Sequence, residues 1–110
     1  MRQFLYRIHP VRAGMLTAGP TEQEAAIVKE HFEHLQRLVA SGTVLMAGRT
    51  LNADERTFGI VVLVAESEAH AAELVRDDPA VKHGVMRAEL FPYRIALWSS
   101  TGPVAEDDDA

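Results

Sequence analysis

The alternation of apolar and polar residues is clearest between residues 21 and 48, where it predicts a long amphipathic helix followed by a strand. Thr21 and Glu24 have the spacing of a capping box, and Gly42 can adopt the positive φ that often ends a helix, so the helix is predicted to span about Glu22–Ser41. At 100° per residue, its apolar side chains fall on one stripe and its charged side chains lie opposite. The stripe consists of Ile27, Val28, Leu35, Leu38 and Val39, with Phe32 at its edge.

One histidine interrupts this apolar stripe. His31 lies four residues from both Ile27 and Leu35, so its imidazole is expected to point at whatever the helix packs on. His34 lies toward the margin of the stripe and is expected to reach solvent. An ionisable ring among hydrophobic side chains makes His31 the first candidate for chemistry.

Three more apolar segments and a second helical pattern complete the chain. Thr57–Ala65 is almost entirely apolar and lacks the alternation of a half-exposed strand, so both of its faces are expected to be covered. Pro92 marks a bend or an edge within the last extended segment. The predicted elements are, in order, strand Gln3–His9, helix Glu22–Ser41, strand Thr43–Gly48, strand Thr57–Ala65, a helix capped by Ser67 that ends near Arg76, a turn at Ala80–Gly84 and the extended segment Val85–Trp98.

This order of elements predicts an α+β fold, the ferredoxin-like β-α-β-β-α-β sandwich, with two helices on one face of a four-stranded antiparallel sheet. Two helices of this size cover only one face, and the residues Ile60–Val64 would place an apolar patch on the other. We therefore predict a homodimer in which the open sheet faces of two copies pack together.

The segment Val11–Pro20 contains Gly14 and Gly19 among small residues and is long for a connection in a compact domain. Two interpretations stay open for it. It is either a plain connection, or the wall or lid of a site.

Composition and charge narrow the class of protein. The chain has 110 residues, of which 47% are hydrophobic, and this suits one domain, predicted over residues 1–98. Residues 99–110 have almost nothing to bury and are predicted to be a disordered acidic tail. Its four acids, Glu106–Asp109, carry most of the formal net charge of -5. The body of the chain is therefore near neutral, which argues against a nucleic-acid partner.

Two further absences in the sequence exclude other classes. The chain has no cysteine, so disulfides and thiolate catalysis are excluded. No apolar run has the length of a signal peptide core or a membrane span, so we predict a cytoplasmic protein without a membrane partner.

His31 and a carboxylate far along the chain are the main candidates for chemistry. His31 is either a general base or acid, or a core histidine bonded to a backbone carbonyl. Asp78 immediately precedes Pro79, so it either orients an imidazole or caps a helical turn. Asp77 is adjacent and could take either role.

Binding groups are less clearly signalled. Arg49 is a candidate clamp for an anionic substrate, as are Arg7 and Arg12, although each of the three also suits a solvated surface. His31 and His34 have the spacing of two metal ligands, but no third ligand accompanies them, so no metal site is predicted. The sequence has neither a glycine-rich phosphate loop nor a nucleophile elbow, and we predict no cofactor.

Several short motifs, taken in their order and spacing, resemble those of a known family. These motifs are Glu30-His31-Phe32-Glu33-His34-Leu35, Leu38, Gly42, Leu45, Ala47-Gly48, Asp78-Pro79, Val81 and Gly84-Val85. Over roughly Gln3–Leu97 the chain resembles the YCII-related family. The resemblance implies a ferredoxin-like domain of the dimeric α/β barrel type, a cleft beside the sheet, and an active site formed by His31 and Asp78. Arg49 stands where many relatives have proline, at the rim of the implied substrate pocket.

Together these observations predict a small cofactor-free enzyme of the lyase or isomerase kind. In this hypothesis His31 moves a proton on a small organic substrate, and Asp78 holds the imidazole. The alternative is a non-catalytic homodimeric module that binds a small metabolite or a partner protein, with the two side chains as a buried polar pair. A third interpretation, a monooxygenase, requires a pocket lined by aromatic side chains, with Phe4, Tyr6, Phe58 and Trp98 as candidates.

Contact between His31 and Asp78 beside an accessible pocket would favour the enzyme, and a sealed pair would favour the module.

Overall fold

The structure is a computed structural model that describes residues 1–103. Within this range the chain forms four strands and four helices, two of which are single turns. The elements are β1 (Arg2–Pro10), α1 (Gly14–Thr17), α2 (Glu22–Ala40), β2 (Val44–Arg49), β3 (Gly59–Ala65), α3 (Glu68–Asp77), α4 (Pro79–Lys82) and β4 (Met86–Pro92). The predicted acidic stretch Glu106–Asp109 lies outside the described residues, and the domain boundary near residue 98 stays a prediction.

The four strands form one antiparallel sheet in the order β2-β3-β1-β4. β1 and β3 lie at the centre, and the register places Tyr6 of β1 opposite Val61 of β3 and Leu90 of β4. Helices α2 and α3 pack on one face of this sheet. The topology is that of the ferredoxin-like sandwich, so the predicted α+β fold is confirmed.

Alternate residues of β1 point to opposite faces of the sheet. Phe4, Tyr6 and Ile8 are buried under the helices, whereas Leu5 and Arg7 lie on the open face. The same alternation in β3 supplies the other half of the core. The buried core cluster contains Phe4, Tyr6, Ile8, Leu35, Val44, Val61, Leu63, Ala65, Ala71 and Val75.

The start of α2 is fixed by the predicted capping box. The Thr21 hydroxyl accepts a hydrogen bond from the Glu24 N–H at 3.1 Å, and the Glu24 carboxylate accepts one from the Thr21 N–H at 2.9 Å. Gly42, at φ +81°, lies just beyond the end of the helix, as predicted. These local signals explain why α2 begins where the sequence indicates.

The buried face of α2 is narrower than its apolar stripe. His31 and Leu35 are the buried residues of this helix. Phe32 and Val39 are 61% and 50% exposed. Val39, a member of the predicted stripe, therefore lies outside the core.

Two segments depart from the sequence prediction. The supposed loop before α2 contains the helical turn α1, and the last strand ends at Pro92 instead of continuing to Trp98. Pro92 lies on an edge strand, where a residue without an N–H is tolerated, and regular pairing with β1 ends there. Residues 93–98, here called the C-terminal arm, are tied to Gln3: its backbone carbonyl accepts from the Tyr93 N–H at 3.1 Å, and its side chain accepts from the Ile95 N–H at 2.7 Å.

None of the helices in residues 1–103 combines the length and the hydrophobicity needed to cross a membrane.

Candidate active site

α2 directs the imidazole of His31 inward. The residue is 9% exposed and lies one turn before Leu35, the other buried residue of the helix. Its Nδ1 atom is 2.6 Å from Oδ1 of Asp78, a residue 47 positions further along the chain. The structure therefore brings together the histidine and the aspartate that the sequence singled out.

Asp78 lies at the junction between α3 and α4 and is completely buried. Its backbone is extended, and Pro79 follows as the first residue of α4. Its Oδ1 atom accepts a hydrogen bond from the Ala80 N–H at 3.0 Å as well as contacting His31. The two roles that the sequence left open, helix cap and imidazole partner, are thus filled by the same carboxylate.

Tyr6 is the third member of this group. Its hydroxyl donates a hydrogen bond to Oδ2 of Asp78 at 2.7 Å. In the sequence, Tyr6 was a candidate only as an aromatic side chain. The missing signal was its place between Phe4 and Ile8 on the buried side of β1, because a buried phenol needs a hydrogen-bond partner.

The protonation of this group follows from its surroundings. Burial raises the pKa of Asp78, but hydrogen bonds from His31, Tyr6 and the Ala80 N–H lower it by more, so that it lies below the usual value. The pKa of Tyr6 lies far above its usual value, because the phenol is buried and faces the negative charge of Asp78. At neutral pH, Asp78 is therefore a carboxylate and Tyr6 a neutral donor.

This charge state determines which nitrogen of His31 carries the proton. The ionised Asp78 can only accept, so the ring donates from Nδ1, and in the neutral ring the lone pair is on Nε2. Nε2 makes no hydrogen bond within residues 1–103, whereas every buried side-chain nitrogen or oxygen of this part of the chain has a partner. Nε2 is therefore not sealed in the core.

A cavity of about 260 Å³ lies next to His31. It is found at one end of the sheet, where the last residues of β1 and β2 meet the first residues of β3 and β4, and α1 and α2 complete its walls. Most of the lining is apolar, including Ile8, Met15, Leu35, Val61 and Met86. An imidazole that lines an apolar cavity and keeps one nitrogen free can exchange a proton with a bound molecule.

Arg49 is at this cavity, as the family resemblance implied. It ends β2, lines the cavity and is exposed to solvent. Thr57, buried at the start of the neighbouring segment, also lines the cavity. The two residues add a charged and a polar group to walls that are otherwise mostly apolar.

The other arginine candidates lie in different surroundings. Arg7 is on the open sheet face, 3.8 Å from Glu89 and stacked over the ring of Phe58 at 4.7 Å. Arg12 is paired with Glu24. Neither of these arginines lines the cavity.

The remaining polar candidates do not join the pair. Asp77 is exposed, and of the two adjacent aspartates it is Asp78 that contacts His31. His34 is half-buried and does not line the cavity. Within residues 1–103, no three histidine, aspartate or glutamate side chains lie close enough together to hold a metal ion.

The aromatic pocket that a monooxygenase would need is not formed in the described chain. Phe58 lines the cavity, whereas Phe4 and Tyr6 are core residues and Trp98 is exposed on the C-terminal arm. The interpretation that grouped these four aromatic residues in one pocket is wrong, because the alternation of β1 and the end of β4 separate them.

Fold and site together define a ferredoxin-like α+β protein with a histidine–aspartate pair beside an apolar cavity. The chain belongs to the YCII-related family: the model of the YCII-related domain matches residues 5–94. The family resemblance noted in the sequence is thereby confirmed. Among curated proteins, no match is found.

One solved structure similar to this chain is 5-chloro-2-hydroxyhydroquinone dehydrochlorinase from Burkholderia phenoliruptrix AC1100, in complex with 2,5-dihydroxybenzoquinone. The two proteins are 23% identical, with a TM-score of 0.63, and the match covers 84% of this chain and 93% of the dehydrochlorinase chain. At this identity the likeness establishes the fold. It agrees with the predicted ferredoxin-like sandwich of the dimeric α/β barrel type.

Proposed function

We propose that this protein is a small cofactor-independent enzyme, a lyase or isomerase, that moves a proton on a small organic substrate. One observation carries this assignment: His31 Nδ1 is held by the buried carboxylate of Asp78, while Nε2 is left free beside the cavity. The pair is in contact and the cavity is accessible, which favours an enzyme over a non-catalytic module with a sealed polar pair.

In the proposed mechanism, Nε2 of His31 removes a proton from a carbon or oxygen of the bound substrate. The ring then carries a positive charge, which Asp78 stabilises across the 2.6 Å contact with Nδ1. Nε2 returns the proton either to another atom of the substrate, as in an isomerase, or to a departing group, as in a lyase. Tyr6 and the Ala80 N–H position Asp78 and do not touch the substrate.

The cavity limits the size and character of the substrate. A volume of about 260 Å³ with mostly apolar walls suits one small ring and its substituents. In this proposal Arg49, which lines the cavity and is exposed, binds a negatively charged or carbonyl substituent of such a ring. A dehydrochlorinase of the same fold binds a single-ring quinone, and this supports a small cyclic substrate.

A proton-exchange screen tests this function before the natural substrate is known. Small cyclic ketones, enols and phenols are incubated with the protein in D₂O, and deuterium at carbon is followed by NMR. We expect the wild-type protein to catalyse exchange on at least one compound, and the His31→Gln variant to give only the buffer rate. Exchange that is equally fast with the variant, or absent from the whole panel with the wild type, would contradict the proposed function.

We also propose that two copies pack through their open sheet faces to form a homodimer. Met46 and Phe91 lie on this face and are 37% and 43% exposed. The register pairs Phe91 with half-buried Leu5 and places Met46 near half-buried Val64. The C-terminal arm adds Leu97 and Trp98, at 93% and 59% exposure. Neighbouring exposed apolar side chains on one sheet face are typical of an interface between two copies of a chain.

The dimer gives a simple prediction for light scattering at micromolar concentration. The wild type should have twice the mass of one chain, and Met46→Lys should shift the protein toward the monomer because it places a charge in the buried interface. Val39→Lys, which changes an exposed apolar residue of α2, serves as the matched control and should stay dimeric. A monomeric wild type would rule out this assembly.

A further inference from the structure

The segment of residues 11–20 forms one wall of the cavity. Within it, α1 places Met15 and Leu16 on the cavity lining, and Met15 is only 8% exposed. The segment is therefore more than a surface connection. It separates part of the apolar cavity from solvent.

This wall is held by few interactions. α1 is a four-residue turn that joins no strand ladder, and a helix of this length has no stability of its own. At its start, the Val11 N–H donates to the carbonyl of Val85 at 2.9 Å. The first residue of the segment is thus bonded to the residue before β4. The position of the remaining residues over the cavity depends on other contacts.

The Arg12 guanidinium provides that second attachment. Its Nε and Nη2 atoms donate to the two carboxylate oxygens of Glu24 at 3.0 and 2.6 Å, and Nη2 also donates to the carbonyl of Gly19 at 3.2 Å. A two-pronged pair of this kind fixes orientation as well as distance. Arg12 therefore ties both ends of the segment to the first turn of α2.

In the Arg12–Glu24 pair, Glu24 is the residue with the fixed position. Its carboxylate also closes the capping box with the Thr21 N–H, so its position is set by α2 rather than by the segment. The hydrogen bond from Arg12, with help from the Thr21 N–H, lowers the pKa of Glu24 to about 2. Arg12 and Glu24 are consequently both charged over the whole neutral range, and moderate acid does not separate them.

Two glycines give the segment the shape that it needs. A side chain at Gly14 would overlap the tip of the Arg12 side chain, so the glycine leaves room for the position that Arg12 takes here. Gly19 has φ +96°, a conformation that favours glycine, so the chain can turn there. This turn lies next to the Arg12–Glu24 pair.

We propose that residues 11–20 are a gate over part of the cavity, held closed by Arg12 and Glu24, and that opening this latch widens the entrance for a small organic ligand. The gate concerns access to the cavity, so it does not depend on whether His31 is catalytic. Opening moves α1 away with Met15 and Leu16, while the sheet and α2 stay in place.

Because the chain has no cysteine, a single introduced cysteine reports access to one place. Val61 lines the cavity and is 1% exposed, whereas Ala71 is fully buried in the core away from it. Val61→Cys and Ala71→Cys are prepared with and without Arg12→Gln, and their reaction with methyl methanethiosulfonate is timed. We expect Arg12→Gln to speed labelling about fivefold at position 61 and to leave the rate at position 71 unchanged.

Equal acceleration at both positions would mean that Arg12 supports the whole fold, and no acceleration at position 61 would mean that it latches nothing. Either result overturns the gate. Glu24→Gln should act in the same direction as Arg12→Gln, because it removes the negative charge and the second acceptor oxygen that Arg12 uses. A glutamine oxygen still accepts from the Thr21 N–H and preserves the cap.

Hydrogen exchange in the cysteine-free chain gives an independent measurement. The amides of Met15 and Ala18, bonded to Arg12 and Gly14, should exchange faster in Arg12→Gln, while those of β3 stay protected. Unchanged exchange at these two amides would also count against the gate.

Discussion

The His31→Gln variant should turn over its substrate at least about a hundredfold more slowly than the wild type, because the amide cannot take up a proton at the position of Nε2. The side chain keeps a polar group near Asp78, so the fold should be retained. Turnover is measured on any compound that exchanges or reacts in the screen. Circular dichroism and thermal unfolding establish that the variant is folded.

His34→Gln is the matched control for this experiment. His34 lies on the same helix, three residues on, but is half-buried and away from the cavity. Its replacement should leave turnover within about twofold of the wild type, as expected for a surface change. If His31→Gln were as active as His34→Gln, the assignment of His31 as the proton carrier would be discarded.

Replacing Asp78 with alanine should destabilise the protein by about 3–5 kcal/mol, since each buried donor that loses its acceptor costs about 1–3 kcal/mol. Three donors lose their acceptor: the His31 ring, the Tyr6 hydroxyl and the Ala80 N–H. The free energy of unfolding is measured with urea. Turnover should fall as well, because the His31 ring is no longer held with its proton on Nδ1.

Two controls separate the sources of this loss. Tyr6→Phe removes one donor and leaves the carboxylate paired, so it should cost only about 1–3 kcal/mol. Asp77→Ala changes the exposed neighbour and should stay within about 0.5 kcal/mol of the wild type. An Asp78→Ala protein as stable as Asp77→Ala would contradict the hydrogen-bond group described for this site.

The lowered pKa of Asp78 predicts how the stability of the protein depends on pH. The folded pKa of Asp78 is below its ordinary value of 3.8, so the unfolded chain binds more protons as the solution is acidified. The contribution of Asp78 is therefore complete above that ordinary value and is lost as the pH falls toward the folded pKa. The stability difference between the wild type and Asp78→Asn should shrink on acidification.

Much of the fold could be predicted from the sequence because its signals are local. The capping box of Thr21 and Glu24 and the stop at Gly42 determine the ends of α2 within a few residues of chain. The apolar run Thr57–Ala65 likewise predicted the strand that the structure shows as β3. In contrast, α1 has neither a cap nor a repeating pattern, and its turn was not predicted.

The candidate site was predictable only in part, because its groups meet through the tertiary fold. The helical periodicity predicted that His31 points inward. Asp78 was matched to it through the family resemblance, since 47 residues separate the two. Tyr6 is 72 residues from Asp78, and their contact depends on how β1 and the α3–α4 junction pack. No spacing in the sequence carries that information. The cavity combines side chains from six elements and is equally hidden.

The proton position on His31 tests the central claim most directly. Long-range ¹⁵N–¹H correlation spectra of the folded protein distinguish a protonated from an unprotonated ring nitrogen. We predict that the neutral ring carries its proton on Nδ1, facing Asp78, and that Nε2 is unprotonated and shifts when a small ligand enters the cavity. A neutral ring with its proton on Nε2 would contradict the account, because Nδ1 would then face the carboxylate without a hydrogen to donate.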